Sequence, residues 1–140
     1  MNVHDLIIKK EDVILLDKYL TRYVEDTGVK LSLLMHRDGH LLANIGNTTS
    51  IDLFGLCALS IGTFLSSEAL AHMTGEDSFS SISHKGSIHS VIIAAIGDSH
   101  LLLTIYDNNA SEPLIHLQSK VAAKNIINVL DKIISNSNYS

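Results

Sequence analysis

The stretch Ile51–Thr74, IDLFGLCALSIGTFLSSEALAHMT, decides how this chain is read. It is long enough for about six turns of helix and contains no Lys, Arg or Pro; its charged residues are Asp52, at the start, and Glu68. A surface helix normally carries one apolar stripe and one charged face. Here apolar and small residues run all the way round, so the helix has two faces to bury.

The flanking segments supply what it packs on. Upstream, Gly46–Ser50 is rich in turn formers, and Thr49 or Ser50 is placed to cap the helix. Before that, Lys30–His36 alternates Leu31, Leu33 and Met35 with Ser32, Leu34 and His36, which predicts a strand. Arg37-Asp38-Gly39 is a hairpin signal, with His40–Ile45 as the returning strand. Further upstream, Asp12–Thr27 places Val13, Leu16, Leu20, Tyr23 and Val24 at helical spacing and ends at Gly28.

Downstream, Gly75 closes the long helix, and Glu76–Lys85, with Phe79 and Ile82 among serines, reads as an edge strand. Ser87–Ile96 and His100–Tyr106 flank Gly97-Asp98-Ser99 and are dense in large or β-branched apolar residues, which predicts two central strands buried on both faces. After a polar loop at Asp107–Pro113, Leu114–Leu117 reads as extended. Gln118–Ile134 then reads as a helix through Val121, Ala122, Ile126, Val129, Leu130 and Ile133. Residues 135–140, SNSNYS, are expected to form a mobile tail.

Short hairpins imply an antiparallel sheet. The expected fold is α+β: one domain over 1–134, in which a five-stranded antiparallel sheet carries the first and last helices on one face and the long helix on the other. The 140 residues, 46% hydrophobic and 18% charged, suit one such domain. No uninterrupted apolar run reaches the ~18 to 20 residues of a membrane span, and the first residues lack a secretory pattern, so a soluble cytoplasmic protein is expected.

Composition also removes several functions. The net charge is −5 and the cations are scattered apart from Lys9-Lys10, which gives no basic stripe for nucleic acid. Cys57 is the single cysteine, so neither an internal disulfide nor a cysteine-cluster metal site is available. His36 with His40, and His84 with His89, face each other across expected turns, but zinc needs three or four ligands and these pairs lack companions. No metal or cofactor is expected. No Gly-x-Ser-x-Gly elbow or phosphate-binding glycine loop occurs, Cys57 lies in an apolar run, and Glu25-Asp26 and Glu76-Asp77 read as solvated pairs, so no catalytic residue is expected either.

What remains is the row Ala58, Gly62, Ser66, Ser67 and Ala69 beside Leu65. If Ile61, Leu65 and Ala69 pack on the sheet, then Leu56, Leu59, Thr63 and Leu70 face out; the converse phase exposes the first stripe. Either way one apolar stripe stays uncovered, and such patches mark protein interfaces.

Three strings carry a family resemblance: LSLLMHRDGHLLANIG (Leu31–Gly46), EALAHMTGE (Glu68–Glu76) and the strands over Ile88–Tyr106. Together with the order of elements they resemble the roadblock family of small dimeric proteins, related to the longin and profilin-like folds. Gly62–Phe79 and SKVAAKNIINVL near the C-terminus are most similar to the bacterial MglB-like branch, although Phe64 and Leu65 are bulkier than its alanine-rich pattern. That resemblance implies a homodimer that joins two sheets and pairs two long helices, with a Ras-like small GTPase of the MglA type seated across them. It further implies stimulated GTP hydrolysis without an arginine finger, and partner-facing residues Ala58, Ile61, Gly62, Leu65, Ala69 and His72. A structural adaptor dimer and a small-molecule sensor are the alternative expectations.

Overall fold

A computed structural model describes residues 8–138. The elements run α1 (Lys10–Thr27), β1 (Leu31–His36), β2 (Leu41–Gly46), α2 (Leu53–Met73), β3 (Ser81–Lys85), β4 (Ser90–Ile96), β5 (His100–Tyr106) and α3 (Glu112–Asn138). The five strands form one antiparallel sheet in the order β2-β1-β5-β4-β3. Its middle is the β1–β5 pairing, with Leu33 opposite Leu103, a long-range contact that no hairpin dictates.

Both faces of this middle are covered, which is why Leu31–Met35 is buried without interruption. Leu31, Leu33 and Met35 of β1 join Ile93, Leu101 and Leu103 on the side of α2. Leu34, Ile92, Ile96, Leu102 and Tyr106 point the other way, into the layer built by α1 and α3. Two helices on one face and the long helix on the other is the arrangement the periodicities predict.

Several local expectations need correction. α3 begins at Glu112, so Leu114–Leu117 is helical rather than extended: Pro113 is tolerated in a first turn, the Leu114 amide donates to Ser111 Oγ at 3.4 Å, and Ile115 is fully buried. The helix also continues past Ile134. Ser137 is buried and donates to the Ile133 carbonyl at 2.8 Å, so residues 135–138 continue α3 as a last helical turn. Residues 139 and 140 lie outside the described residues.

The cap of α2 is Asp52, whose Oδ1 accepts from the Gly55 amide at 3.0 Å, while Thr49 is engaged with Asn47 Oδ1 instead. In α1, Asp12 is buried and Val13 is exposed, the reverse of what apolar spacing implies. Asp12 accepts from the Lys9 amide at 3.2 Å and lies 3.7 Å from Lys132 Nζ, which ties the start of α1 to the end of α3. β4 starts at Ser90 because Ser87–His89 belongs to the β3–β4 turn, where Ile88 is exposed. By length and composition alone α2 is long and apolar enough to cross a membrane, and one face of it lies on the sheet.

Candidate functional site

The inner face of α2 is built from few atoms. Its buried residues are Cys57, Ser60, Phe64 and Ala71, helped by half-buried Leu53, Leu56 and Ile61. On the outer face Phe54, Leu59, Leu65, Leu70 and Met73 are 84%, 72%, 51%, 55% and 86% exposed. With 3.6 residues per turn, exposed Ala58, Gly62, Ser66 and Ala69 form a low strip, bordered by Leu65 on one side and by Leu59 and Leu70 on the other. A Cβ added at Gly62 would meet nothing within 4 Å, so the isolated fold does not require glycine there. Glycine inside a helix costs about 1 kcal/mol relative to alanine, and what it leaves here is an approachable backbone.

Of the six expected partner-facing residues, Ala58, Gly62, Leu65, Ala69 and His72 lie on this outer face. Ile61 does not: it is half-buried and packs with the sheet. Neither phase weighed from the sequence holds as a whole. Ile61 and Leu56 turn in together, whereas Leu65, Ala69, Leu59 and Leu70 turn out together. Sequence reasoning passed over Phe54 and Met73, the most exposed large apolar residues of the helix. Their position at its two ends was the available signal.

Glu68 is the acidic residue within α2. It forms an ion pair with Arg37 of the β1–β2 turn, and both side chains are less than one third exposed. Arg37 Nη1 donates to the Asp98 carbonyl at 3.2 Å, and its guanidinium lies 5.6 Å from the centre of the Phe64 ring.

At the N-terminal end of α2 a cleft of about 450 Å³ is lined by Leu41, Leu53, Phe54 and Cys57, with Asp38, Gly39 and His40 at the rim. Asp38 Oδ1 lies 2.8 Å from His40 Nδ1. Partial desolvation raises the Asp38 carboxyl, but the side-chain and backbone hydrogen bonds from His40 outweigh it, and its pKa falls below the ordinary value. On the opposite face His100 is buried edge-on to His36, with ring centres 4.9 Å apart and Nε2 without a partner. Desolvation first, and His36 second, lower its pKa to about 4. Among the described residues no three side chains are grouped to hold a metal ion; His84 and His89 are both exposed.

A three-helix, five-stranded sandwich with an uncovered apolar helix face defines the class. Residues 15–107 match the Roadblock/LC7 domain, and the chain belongs to that family. Curated protein sequences give no match. Among solved structures, Myxococcus xanthus MglB is similar with a TM-score of 0.84 and 26% identity, over 91% of this chain and 96% of that one. The gliding protein MglB of Thermus thermophilus gives 0.82 at 23% identity with the same coverage. Acanthamoeba castellanii profilin II, at 0.59 and 16% identity over 81% of this chain and 97% of its own, shares the fold alone.

Proposed function

We propose that this protein is a non-enzymatic homodimeric regulator that binds a Ras-like small GTPase of the MglA type in the cytoplasm and stimulates or tunes its GTP hydrolysis. The observation that carries this reading is the uncovered outer face of α2, on a chain similar to Myxococcus xanthus MglB over nine tenths of its length. A face with five large exposed apolar residues and no Lys or Arg suits protein and not an anionic surface.

The chemistry supports regulation without a donated arginine. Arg22 and Arg37 are the two arginines of the chain. Arg22 belongs to α1, across the sheet from α2, and Arg37 is held by Glu68 and Asp98. Stimulation on this reading acts by repositioning groups that the GTPase already owns.

The test mixes the protein with the GTP-loaded GTPase and follows phosphate release. Faster release is expected. Leu65→Glu should abolish that effect while the protein stays folded, because a side chain half exposed at this position keeps its carboxylate in water. The absence of both a rate change and a complex would refute the reading, and a complex without rate change would make the protein an adaptor.

A further inference from the structure

Hydrophobic burial cannot fix the rotation of α2, because both of its faces are apolar. A turn of about 100°, one residue's worth, exchanges one set of small and aliphatic side chains for another. On the inner face three of the four buried residues, Cys57, Ser60 and Ala71, are small enough to fit in more than one phase. What breaks the degeneracy is polar. Glu68 is the one Asp, Glu, Lys or Arg inside the helix, and it meets Arg37 31 residues away in sequence.

Arg37 is itself fixed from two sides. Its backbone amide donates to the Ser99 carbonyl at 2.9 Å and its Nη1 to the Asp98 carbonyl at 3.2 Å, so the β1–β2 turn is bound to the β4–β5 turn before it reaches the helix. The guanidinium then pairs with Glu68 and lies over Phe64, the one large buried residue of α2, one turn earlier on the same side. A planar fork that bonds in two directions and stacks in a third specifies angle as well as distance, which an ammonium does not.

We infer that Arg37 is a positioning residue: with Glu68 it locks the rotation of α2 and so determines which residues the helix presents to a partner. The consequence for binding rests on the function proposed above, but the lock itself is measurable without any partner. Cys57 lies on the inner face and is 2% exposed, so its reaction with a thiol reagent reports how often α2 leaves its seat.

The experiment labels Cys57 in the intact native protein with a disulfide thiol reagent and measures unfolding free energy by denaturant in parallel. Glu68→Gln and Arg37→Met should each label about tenfold faster than the unaltered protein, with a smaller change in global stability. Arg37→Lys should fall between, since lysine can pair with Glu68 but cannot also reach Asp98 in the same geometry. Lys85→Met, which removes the 2.8 Å pair with Glu112 between β3 and α3, should label like the unaltered protein. Unchanged labelling in the first two variants overturns the lock, as does acceleration matched by an equal loss of global stability. Faster labelling with undiminished GTPase binding keeps the lock and instead removes the outer face of α2 as the partner surface.

Discussion

The two helical layers on this sheet do different jobs, and the helix richest in apolar residues, α2, is the one that buries least. On one face α1 and α3 contribute Leu16, Leu20, Tyr23, Ile115, Ile126 and Ile133, each at most 2% exposed and packed with the sheet in one cluster. Tyr23 adds a 2.8 Å hydrogen bond to Thr104 Oγ1, and burial drives its pKa up to about 12. On the other face α2 buries four residues and turns five large apolar ones outward. Apolar content therefore does not measure stability: a helix with interlocking aliphatics holds the sheet, whereas a helix with small inner residues and bulky outer ones is built to be covered by something else.

That contrast can be broken most directly in the thick layer. Ile126→Ala should cost about 2 to 5 kcal/mol, because a fully buried isoleucine leaves a cavity among neighbours that cannot all move in. Denaturant unfolding checks it, and a loss below about 1 kcal/mol would mean the layers are more alike than their packing suggests.

Acid should weaken the same layer next. His100 takes up its proton near pH 6.5 when unfolded and near 4 when folded, so the unfolded chain binds more protons between those values. Stability is then complete at pH 7, declines as the pH falls from about 6.5 to about 4, and loses on the order of 3 kcal/mol. His100→Gln should flatten that slope in stability curves measured at several pH values; an unchanged slope would assign the acid sensitivity elsewhere.

The smallest effect has the opposite sign and belongs to α2. Gly62→Ala should stabilise the isolated fold by about 0.5 to 1 kcal/mol, since the added methyl meets open space and the unfolded chain loses freedom. Self-association and GTPase binding should weaken at the same time. A thermal melt with sedimentation of the same sample separates the two, and a variant that gains stability and binds as before would show that the low strip is not a contact.

Much of this was legible beforehand. The period-two placement of Leu31, Leu33 and Met35 declared a strand, and the paired runs around Gly97-Asp98-Ser99 declared a hairpin, of which β5 is buried on both sides as expected whereas β4 is half-buried at Ser90, Val91, Ala94 and Ala95. Asp12 and Val13 were misjudged because residue type outranks geometry in such a reading: a carboxylate is rarely expected inside, yet the backbone amide of Lys9 and the ammonium of Lys132 meet it there. The start of α3 was missed because Pro113 and the polar residues before it look like a loop, whereas a first helical turn needs no amide from proline.

By itself the sequence determined most of the elements, the two-sided burial of β5, and the fact that α2 has more apolar surface than one sheet can cover. These follow from period and composition, which are local. The tertiary structure alone decided that β1 lies against β5, that Ile61 turns inward while Leu65 and Ala69 turn outward, and that Glu68 has a partner. A helix apolar on every side offers burial no gradient to read, so its rotation is set by contacts from elsewhere in the chain, and here those contacts converge on Arg37.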